Sequence, residues 1–470
     1  MTATTEVVNF GGNIRFSPRV QYRPKNISEL LEVLDREPSG TIRASGSLHA
    51  WSPATETESV SVSLVNLNSV KITHDDQGAL VTVGGGCKIK RLIAELAKHQ
   101  LAMPSLGLIS EQTIAGATST ATHGSGRHCL SEYLTAVHLA HFDSTTSRAT
   151  ITEVRDAEQL RAAKCALGCM GIVVAVELRP RESFLIEEFM AIYENIEGPL
   201  AKESEYPLQQ FFYFPWYGKY LGQHRRESSN RRSTLAPLYR LYWFTTIDIG
   251  LHVLLVAIVQ WLKSPRLAKA FYRSIAPYTM IRDWRVVDRS QDMLIMEHEL
   301  FRHIEMEVFV TRSQLTTAME LTKELIVYFD SGEGLSDSTR EQCEKLGHGD
   351  SLGSGKRDYT HHYPVCIRRI LPDDMFLSMS SGGDEDFYAI SFISYDSPNN
   401  RLGFLQFADT LARLMHHRFR ARCHWGKYNP DDRDQIEAAY PNLASFRAIC
   451  NRFDPKGRFR NKWVRELLFD

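Results

Sequence analysis

Three glycine-bearing loops between residues 43 and 126 carry the residue types best suited to holding a phosphorylated ligand. The first loop follows a predicted strand and includes Gly46, Ser47, Leu48 and His49. Small residues there let the backbone approach a ligand closely, and consecutive free N–H groups can bind phosphate oxygens. A loop histidine is more often a hydrogen-bonded surface residue than a catalytic one, so His49 alone is a weak indication of chemistry.

The second and third loops extend this pattern, and the second argues against a nicotinamide dinucleotide as the ligand. The second loop, VGGGC at 83–87, ends a predicted strand and opens a predicted helix. It lacks GxGxxG spacing and no strand-helix-strand repeat surrounds it, which disfavours a nicotinamide dinucleotide site. The third loop, 107–126, consists mainly of small and polar side chains that leave room beside a flat ligand and donate hydrogen bonds. The loops together predict a buried, charged, aromatic cofactor.

The elements that must position these loops alternate between strands and helices. The predicted strands before residue 180 are 41–44, 60–65, 80–84, 136–141 and 171–179. A helix begins near Ser28, the predicted N-cap, and a second covers 90–99. After residue 180 a second domain is predicted, with strands at 211–213, 306–310 and 387–394 and helices at 313–329 and 401–416. Residues 331–355 are rich in Gly, Ser and Asp and predict a long surface loop.

Composition limits the class of protein. A chain of 470 residues with 43% hydrophobic and 24% charged side chains predicts a globular protein of at least two domains. The formal net charge of -1 gives no global attraction to nucleic acid. The eight scattered cysteines predict reduced thiols, and the N-terminus lacks the basic and apolar pattern of a signal peptide. We therefore expect an intracellular protein, cytoplasmic or peripherally associated with an organelle membrane.

An apolar segment at 241–262 has about the length needed to cross a bilayer. Asp248 and His252 lie inside it, and a central Asp costs roughly 2.5–3.5 kcal/mol on insertion scales, so spanning is disfavoured. Basic residues flank both ends, which suits a helix lying on a membrane surface. A helix buried in the second domain or in a dimer contact is the other interpretation, and both stay open.

Several motifs, in order, resemble one flavoprotein superfamily. They are GSLH at 46–49, VTVGGGCKIKRL at 81–92, TIAGATSTATHGSG at 113–126, LGCMGIV at 167–173 and HWGK at 424–427. This order is similar to the vanillyl-alcohol-oxidase superfamily, with its PCMH-type FAD-binding domain, and within it to the branch of sugar-1,4-lactone oxidases (D-arabinono- and L-gulono-lactone oxidases) and alditol oxidases. The resemblance covers about 1–185 and 360–470.

The resemblance implies an α+β fold with a two-subdomain FAD-binding domain and a substrate (cap) domain built on an antiparallel sheet. The implied boundaries are 1–185 for the FAD-binding domain, 186–422 for the substrate domain with its apolar helical insertion, and 423–470 for a C-terminal segment that returns to the FAD site. His49 falls where the branch attaches FAD covalently; noncovalent FAD is the alternative. The other implied cofactor contacts are Gly46, Ser47, Leu48, Ser110, Thr113, Gly116, Ser119, Thr122, His123, Gly124, Ser125, Gly171 and Ile172.

On the substrate side, the resemblance aligns residues 364–368 with a strand motif in which a Glu and an Arg two residues apart share one face. Arg368 is present, but Cys366 replaces the Glu, and a neutral thiol cannot replace a carboxylate that balances a neighbouring cation. Lys427 is predicted at the flavin edge, with His424 supporting it. His361 and His362 lack a third ligand at metal spacing, so no metal is expected.

The implied function is oxidation of an alcohol carbon of a sugar lactone, alditol or related hydroxylated small molecule by hydride transfer to flavin N5. Oxygen or another electron acceptor would reoxidise the flavin. Because Cys366 and the divergent middle third depart from the branch, two alternatives stay open. One is a flavoenzyme of specialised metabolism that performs an oxidative cyclisation or rearrangement, and the other is a membrane-surface flavin-binding protein.

Overall fold

The computed structural model describes residues 6–296, 300–347 and 359–470. The N-terminal part is built on two main sheets, beside two short strand pairs. The first is a three-stranded parallel sheet with Val60–Ser63 between Val20–Tyr22 and Ile42–Ser45. The second is a five-stranded antiparallel sheet in the order Ala149–Val154, Leu134–Phe142, Ile172–Leu178, Gly78–Gly84 and Val70–Asp75. The helices of this part are Ile27–Arg36, Ile89–Ala97, Ile114–Ser119 and Ala157–Ala163.

The first helix begins two residues earlier than the sequence pattern predicts. Asn26, not Ser28, is the N-cap, and its side chain accepts a hydrogen bond of 2.9 Å from the backbone N–H of Glu29. Both residue types are good caps, but Asn26 has the extended backbone that a cap requires, whereas Ser28 already lies inside the helix. The predicted cap at Ser28 is therefore wrong.

The second part is built on an eight-stranded antiparallel sheet. The strand order is Val286–Arg289, Leu185–Tyr193, Lys219–Ser228, Gln210–Phe214, Val365–Ile370, Phe387–Ser394, Ile304–Thr311 and Arg422–Cys423. One face of the sheet packs with the helices Leu315–Ser331 and Leu402–Phe419 to form a hydrophobic core. The two sheets of the first part, together with this sheet and its helices, confirm the predicted α+β class.

The register of the large sheet places alternate residues on opposite faces. Phe211, Ile367 and Ile390 are aligned across three neighbouring strands and belong to the helix-covered core. Their chain neighbours Phe212 and Cys366 are aligned in the adjacent row. Because side chains alternate along a strand, this second row faces away from the two helices. The helix-free face is the one available to a ligand.

A long apolar helix, Ala236–Leu262, packs against the large sheet. It contains two stretches of π-helix, Trp243–Leu251 and Ala257–Leu262. Polar contacts fix it in place along its length. In its middle and near its end, His252 Nε2 lies 3.1 Å from the Tyr363 hydroxyl, and Gln260 donates to the Tyr395 carbonyl at 2.7 Å. The helix is long and apolar enough to cross a membrane by length and composition, and only 17% of its most apolar window is buried.

The C-terminal residues return to the first part of the chain. The helices Arg433–Ala439, Leu443–Phe453 and Lys462–Leu468 contribute to the same hydrophobic core as the two N-terminal sheets. Trp425 is fully buried there and donates a hydrogen bond of 2.6 Å to the Leu377 carbonyl. The segment 424–427 thereby runs between the large sheet and the N-terminal part.

One predicted loop is partly helical. Within 331–355, the helix Asp337–Lys345 begins at Ser336, whose hydroxyl accepts from the Thr339 N–H. The Ser and Asp that we interpreted as loop composition are the N-cap and first turn of this helix, which is where these residues are favoured. Residues 348–355 of that predicted loop lie outside the described residues.

The cap assignment predicts a difference between two neighbouring variants. Asn26→Ala removes the bond to the Glu29 N–H and should lower the free energy of unfolding by about 1 kcal/mol. Ser28→Ala, at an exposed position inside the helix, should change it by less than about 0.5 kcal/mol. Urea unfolding followed by circular dichroism measures both; equal losses would contradict the cap at Asn26.

Candidate active site

A large cavity lies where the N-terminal loops, the large sheet and the segment 424–427 meet. Its walls include residues of the first and third glycine-bearing loops, whereas the second loop, 83–87, does not line it. The predicted residues in its lining are Gly46, Ser47, Leu48, His49, Thr113, Gly116, Ser119, Thr122, His123, Gly171, Ile172, Arg368, His424 and Lys427. Residues more than 300 positions apart in sequence are thus brought to one cavity.

The loop that carries His49 is fixed from both sides. Leu48 has a left-handed backbone, φ 57°, which is costly for a residue with a side chain. Its carbonyl accepts from the Phe10 N–H at 2.8 Å, and the Trp51 N–H donates to the Gly426 carbonyl at 2.9 Å. Segments near the N-terminus and the C-terminus therefore hold this strained turn, and the turn places His49 in the cavity wall.

His49 is held in its neutral form. Burial lowers its pKa to about 4, and its ring lies 5.0 Å from the Phe10 ring, centroid to centroid. Neutral imidazole has a free electron pair on one nitrogen at physiological pH. His49 is therefore in the protonation state that a nucleophile or a hydrogen-bond acceptor needs.

The residues of the cavity fit a phosphorylated flavin. The Thr113 hydroxyl is buried at the cavity and has no hydrogen-bond partner among the described residues, although buried hydroxyls are normally paired. A Cβ at Gly46 would lie 1.9 Å from that same hydroxyl, so the backbone approaches closely there. The cavity thus offers an unsatisfied polar group and a narrow turn at the position predicted for FAD.

Four predicted residues do not line the cavity. Cys366 and Ser110 are buried outside its wall. Gly124 packs against the chain, since a Cβ there would lie 2.3 Å from the Leu106 carbonyl oxygen. The Ser125 hydroxyl donates to the Gln209 carbonyl and accepts from the Arg369 N–H at 3.2 Å. Ser125 therefore joins the two parts of the chain.

The sequence analysis missed two buried carboxylates at the cavity. Glu307 accepts a hydrogen bond from the Ser391 hydroxyl at 2.5 Å, and its second oxygen lies 3.3 Å from His123 Nε2. Burial opposes ionisation of Glu307, but His123, which is hydrogen-bonded to it, and the nearby Lys427 hold its pKa well below the usual range. Glu305 and Glu307 alternate in a buried strand, and paired acids at period two in an apolar run were the signal that could have found them.

Among the described residues, cluster geometry alone would allow a metal at two places, and one of them is at the cavity. Ligand atoms of His123, Glu307 and His424 lie within 4.8 Å of one another. Both oxygens of Glu307 already have partners, however, and His424 Nδ1 accepts from the Gly426 N–H at 2.9 Å. Burial lowers the pKa of His424 to about 3, so it is neutral. We interpret the three side chains as a hydrogen-bonded wall of the cavity.

Lys427 forms a buried ion pair at the cavity. Its ammonium contacts the Glu305 carboxylate and lies 4.7 Å from the centroid of the Trp51 ring. The side chains of Lys427 and Glu305 are 16% and 7% exposed, so neither charge has full access to water. The predicted cation at the cavity is therefore present, and its charge is balanced by Glu305.

Arg368 is anchored by a chain of amides. Its Nε donates to Gln210 at 3.1 Å, and Gln210 donates to Gln223 at 2.6 Å. Burial opposes the charged form of Arg368, but a hydrogen bond with Cys366 and the charges of Glu307 and Glu305 raise its pKa. Burial also raises the pKa of the Cys366 thiol, which keeps it neutral. The carboxylates that balance Arg368 therefore come from the strand Ile304–Thr311.

A second cavity of about 470 Å³ adjoins the first. It lies between the helix-free face of the large sheet and the inner side of Ala236–Leu262, and its size is within the range of small-molecule sites. Five residues line both cavities, and we call them the junction: Leu108, Asp248, His252, Met296 and Tyr363.

Comparison with known proteins shows which protein families this chain resembles. The family described as D-arabinono-1,4-lactone oxidase matches residues 176–467, and an FAD-binding domain family matches 18–149. A long-chain alcohol oxidase from an uncultured marine euryarchaeote is 45% identical over 461 residues, covering 98% of this chain and 96% of its own. An L-gulonolactone oxidase from Mus musculus is 25% identical, covering 96% of each chain. The crystal structure of a cholesterol oxidase from B. sterolicum superposes with a TM-score of 0.76 at 17% identity, covering 99% of this chain and 97% of that one.

The fold and the site define an FAD-dependent oxidoreductase that acts on CH–OH groups. The chain belongs to the D-arabinono-1,4-lactone oxidase family. The predicted superfamily, its FAD cofactor and its enzyme class are thereby confirmed.

The buried pair predicts a non-additive pattern of stability. Lys427→Met leaves the Glu305 carboxylate buried without its cation and should lower the free energy of unfolding by about 3 kcal/mol. Lys427→Met combined with Glu305→Gln should cost clearly less than the sum of the two single changes, because no unpaired charge remains. Chemical denaturation of the four proteins measures this. Additive losses would mean that the two side chains are not energetically coupled.

Proposed function

We propose that this protein oxidises the terminal CH–OH group of a long-chain aliphatic alcohol, with FAD attached covalently to His49. The observation that carries the proposal is the apolar cavity that adjoins the flavin cavity at the junction. An alcohol carbon held at the junction would lie between the two cavities. Its alkyl chain would then extend away from the flavin, beneath Ala236–Leu262.

The lining of the second cavity suits an alkyl chain. Apolar side chains come from the sheet below and the helices above; they include Phe212, Phe214, Leu221, Leu251, Leu255 and Phe271. The deeper polar groups are already paired, since Glu188 binds Arg225 and Gln223, and Gln223 accepts from Gln210. Burying an alkyl chain contributes roughly 0.8 kcal/mol per CH₂, whereas a sugar hydroxyl there would lose its bonds to water.

Two further observations favour an aliphatic alcohol over a lactone or alditol. The 45% identical relative is named a long-chain alcohol oxidase and is matched over nearly its whole length. Cys366 stands where the lactone and alditol branch is expected to carry a Glu, and its side chain is outside the cavity wall. A carboxylate that would bind a polyol hydroxyl is therefore absent from position 366.

The polar side chains at the junction and beside it would orient the alcohol group. When bound, FAD supplies the hydride acceptor of the reaction. His252 and Tyr363 are hydrogen-bonded to each other at the junction, so they provide a group that can accept the hydroxyl proton. Arg368 is held charged at the cavity wall by the neighbouring carboxylates and would stabilise negative charge on the substrate oxygen.

The cavity predicts how activity depends on chain length. Leu255→Trp enlarges a buried side chain in the cavity wall and should lower kcat/KM for hexadecanol at least about tenfold, while butanol is affected little. The matched control is Leu254→Trp, on the 39% exposed neighbouring residue, which should leave both values within about twofold. Assays in detergent solution, with hydrogen peroxide measured as the product of oxygen reduction, give kcat/KM of each variant relative to wild type for both alcohols. If Leu255→Trp lowered kcat/KM equally for both alcohols, the placement of the alkyl chain in the second cavity would be contradicted.

The covalent link predicts a separate result. Purified protein should keep its yellow flavin after acid precipitation, because a bond to His49 resists denaturation. His49→Ala should release all flavin into the acid supernatant, while His74→Ala, at an exposed histidine, should retain it in the pellet. Flavin absorbance in both fractions measures the outcome. Acid-stable flavin in His49→Ala would show that another residue carries the link or that none is needed.

A further inference from the structure

The outer side of Ala236–Leu262 is unusually apolar for a surface. Seventeen large hydrophobic side chains are exposed among the described residues, and twelve of them lie between 235 and 281. We call these twelve the apolar face: Leu235, Leu238, Leu241, Phe244, Val253, Leu254, Trp261, Leu262, Leu267, Ile275, Tyr278 and Ile281. Trp261 is 76% exposed. Such a concentration marks a surface that is covered by a partner or a membrane.

Basic side chains dominate the sequence around this face, although Arg232, Arg240 and Lys269 are paired with Asp288, Asp292 and Asp330. Between residues 231 and 282 there are eight basic side chains and a single acidic one, Asp248. Asp248 lines both cavities, so it is on the inner side of the helix. Lys263 and Arg266 are exposed directly after the helix, next to Trp261 and Leu262. An apolar face bordered by cations is complementary to an anionic lipid surface.

The second cavity opens at this face. Leu241 and Phe244 line the cavity and are also 56% and 47% exposed, so they form its mouth. A ligand that reaches the cavity between these two side chains would come from whatever covers the apolar face. Water is a poor source of a long alkyl chain, whereas a bilayer holds such molecules in solution.

The contacts of the helix determine how it could meet a bilayer. Its inner side is fixed to the large sheet and its surroundings through His252 and Gln260, and Leu255 and Ile258 are buried there. A helix that spans a membrane would have to give up these contacts and place Asp248 in hydrocarbon. The helix therefore lies along the surface of the protein with only its outer side free.

We infer that the apolar face docks on the surface of an anionic lipid bilayer, with the helix parallel to the membrane plane, and that the substrate passes from the lipid between Leu241 and Phe244 into the cavity. This inference deepens the proposed function and rests on it for the identity of the substrate. The docking itself rests on the exposed side chains, the surrounding cations and the position of the cavity mouth.

Vesicle binding tests the docking without using activity. The wild-type protein with bound FAD should co-sediment with vesicles of phosphatidylcholine and phosphatidylglycerol, and less with phosphatidylcholine alone. A triple variant, Leu254→Glu, Trp261→Glu and Leu262→Glu, should bind at least about tenfold more weakly. The matched control is Val65→Glu, Val327→Glu and Leu402→Glu, at exposed apolar positions outside the face, and it should bind like wild type.

Three results would overturn the inference. They are no vesicle binding by the wild type, equal binding by both triple variants, and a wild-type dimer that the first triple variant dissociates while no vesicles bind. The last result would identify the face as a subunit interface. Flavin reduction by detergent-dispersed hexadecanol is measured in parallel on all three proteins. If wild type binds vesicles but hexadecanol does not reduce its flavin, docking stands and the proposed substrate fails. If hexadecanol reduces the flavin but wild type does not bind vesicles, the proposed substrate stands and docking fails.

Discussion

The helix-free face of the eight-stranded sheet is the constraint on which the site depends. One row along this face aligns Phe212, Cys366, Ser391 and Glu307 across four neighbouring strands. Glu307 is at the flavin end of the row, and Phe212 lines the apolar cavity at the other. A single rigid surface therefore carries charged groups beside the flavin and apolar groups farther away. Because both cavities share this surface, the reacting carbon and the rest of the substrate are positioned by the same register.

The charges at the flavin end are mutually dependent. Arg368 and Lys427 are cations, and Glu305 and Glu307 are the carboxylates that balance them. Removing any one of them leaves a buried charge without its partner, which is costly in a site closed to water. The Glu expected at position 366 is not needed for this balance, since the carboxylates of another strand supply it. Substitution by Cys366 is thus compatible with a charged, folded site.

Much of the cofactor side could be predicted from the sequence. Loops made of Gly, Ser and Thr have few alternative explanations, and His49, Thr113 and His123 do line one cavity. Residues whose role depends on long-range pairing were harder. Glu307 stands 184 positions from His123, and nothing local shows that they meet. Asp248 and His252 were recognised only as obstacles to a membrane span, because their place at the junction depends on how the helix packs. The N-cap at Asn26 and the helix after Ser336 were missed because several capping residues stand close together there.

The central claim is that an alkyl chain, rather than a polyol, occupies the cavity beside the flavin. The most direct test is anaerobic stopped-flow mixing of the wild-type enzyme with hexadecanol, xylitol or L-gulono-1,4-lactone, followed by the bleaching of the oxidised flavin absorbance. The account predicts rapid bleaching by hexadecanol and at least about a hundredfold slower bleaching by the two polyols, since they cannot bury the apolar surface of the cavity. Faster reduction by xylitol or the lactone than by hexadecanol would contradict it.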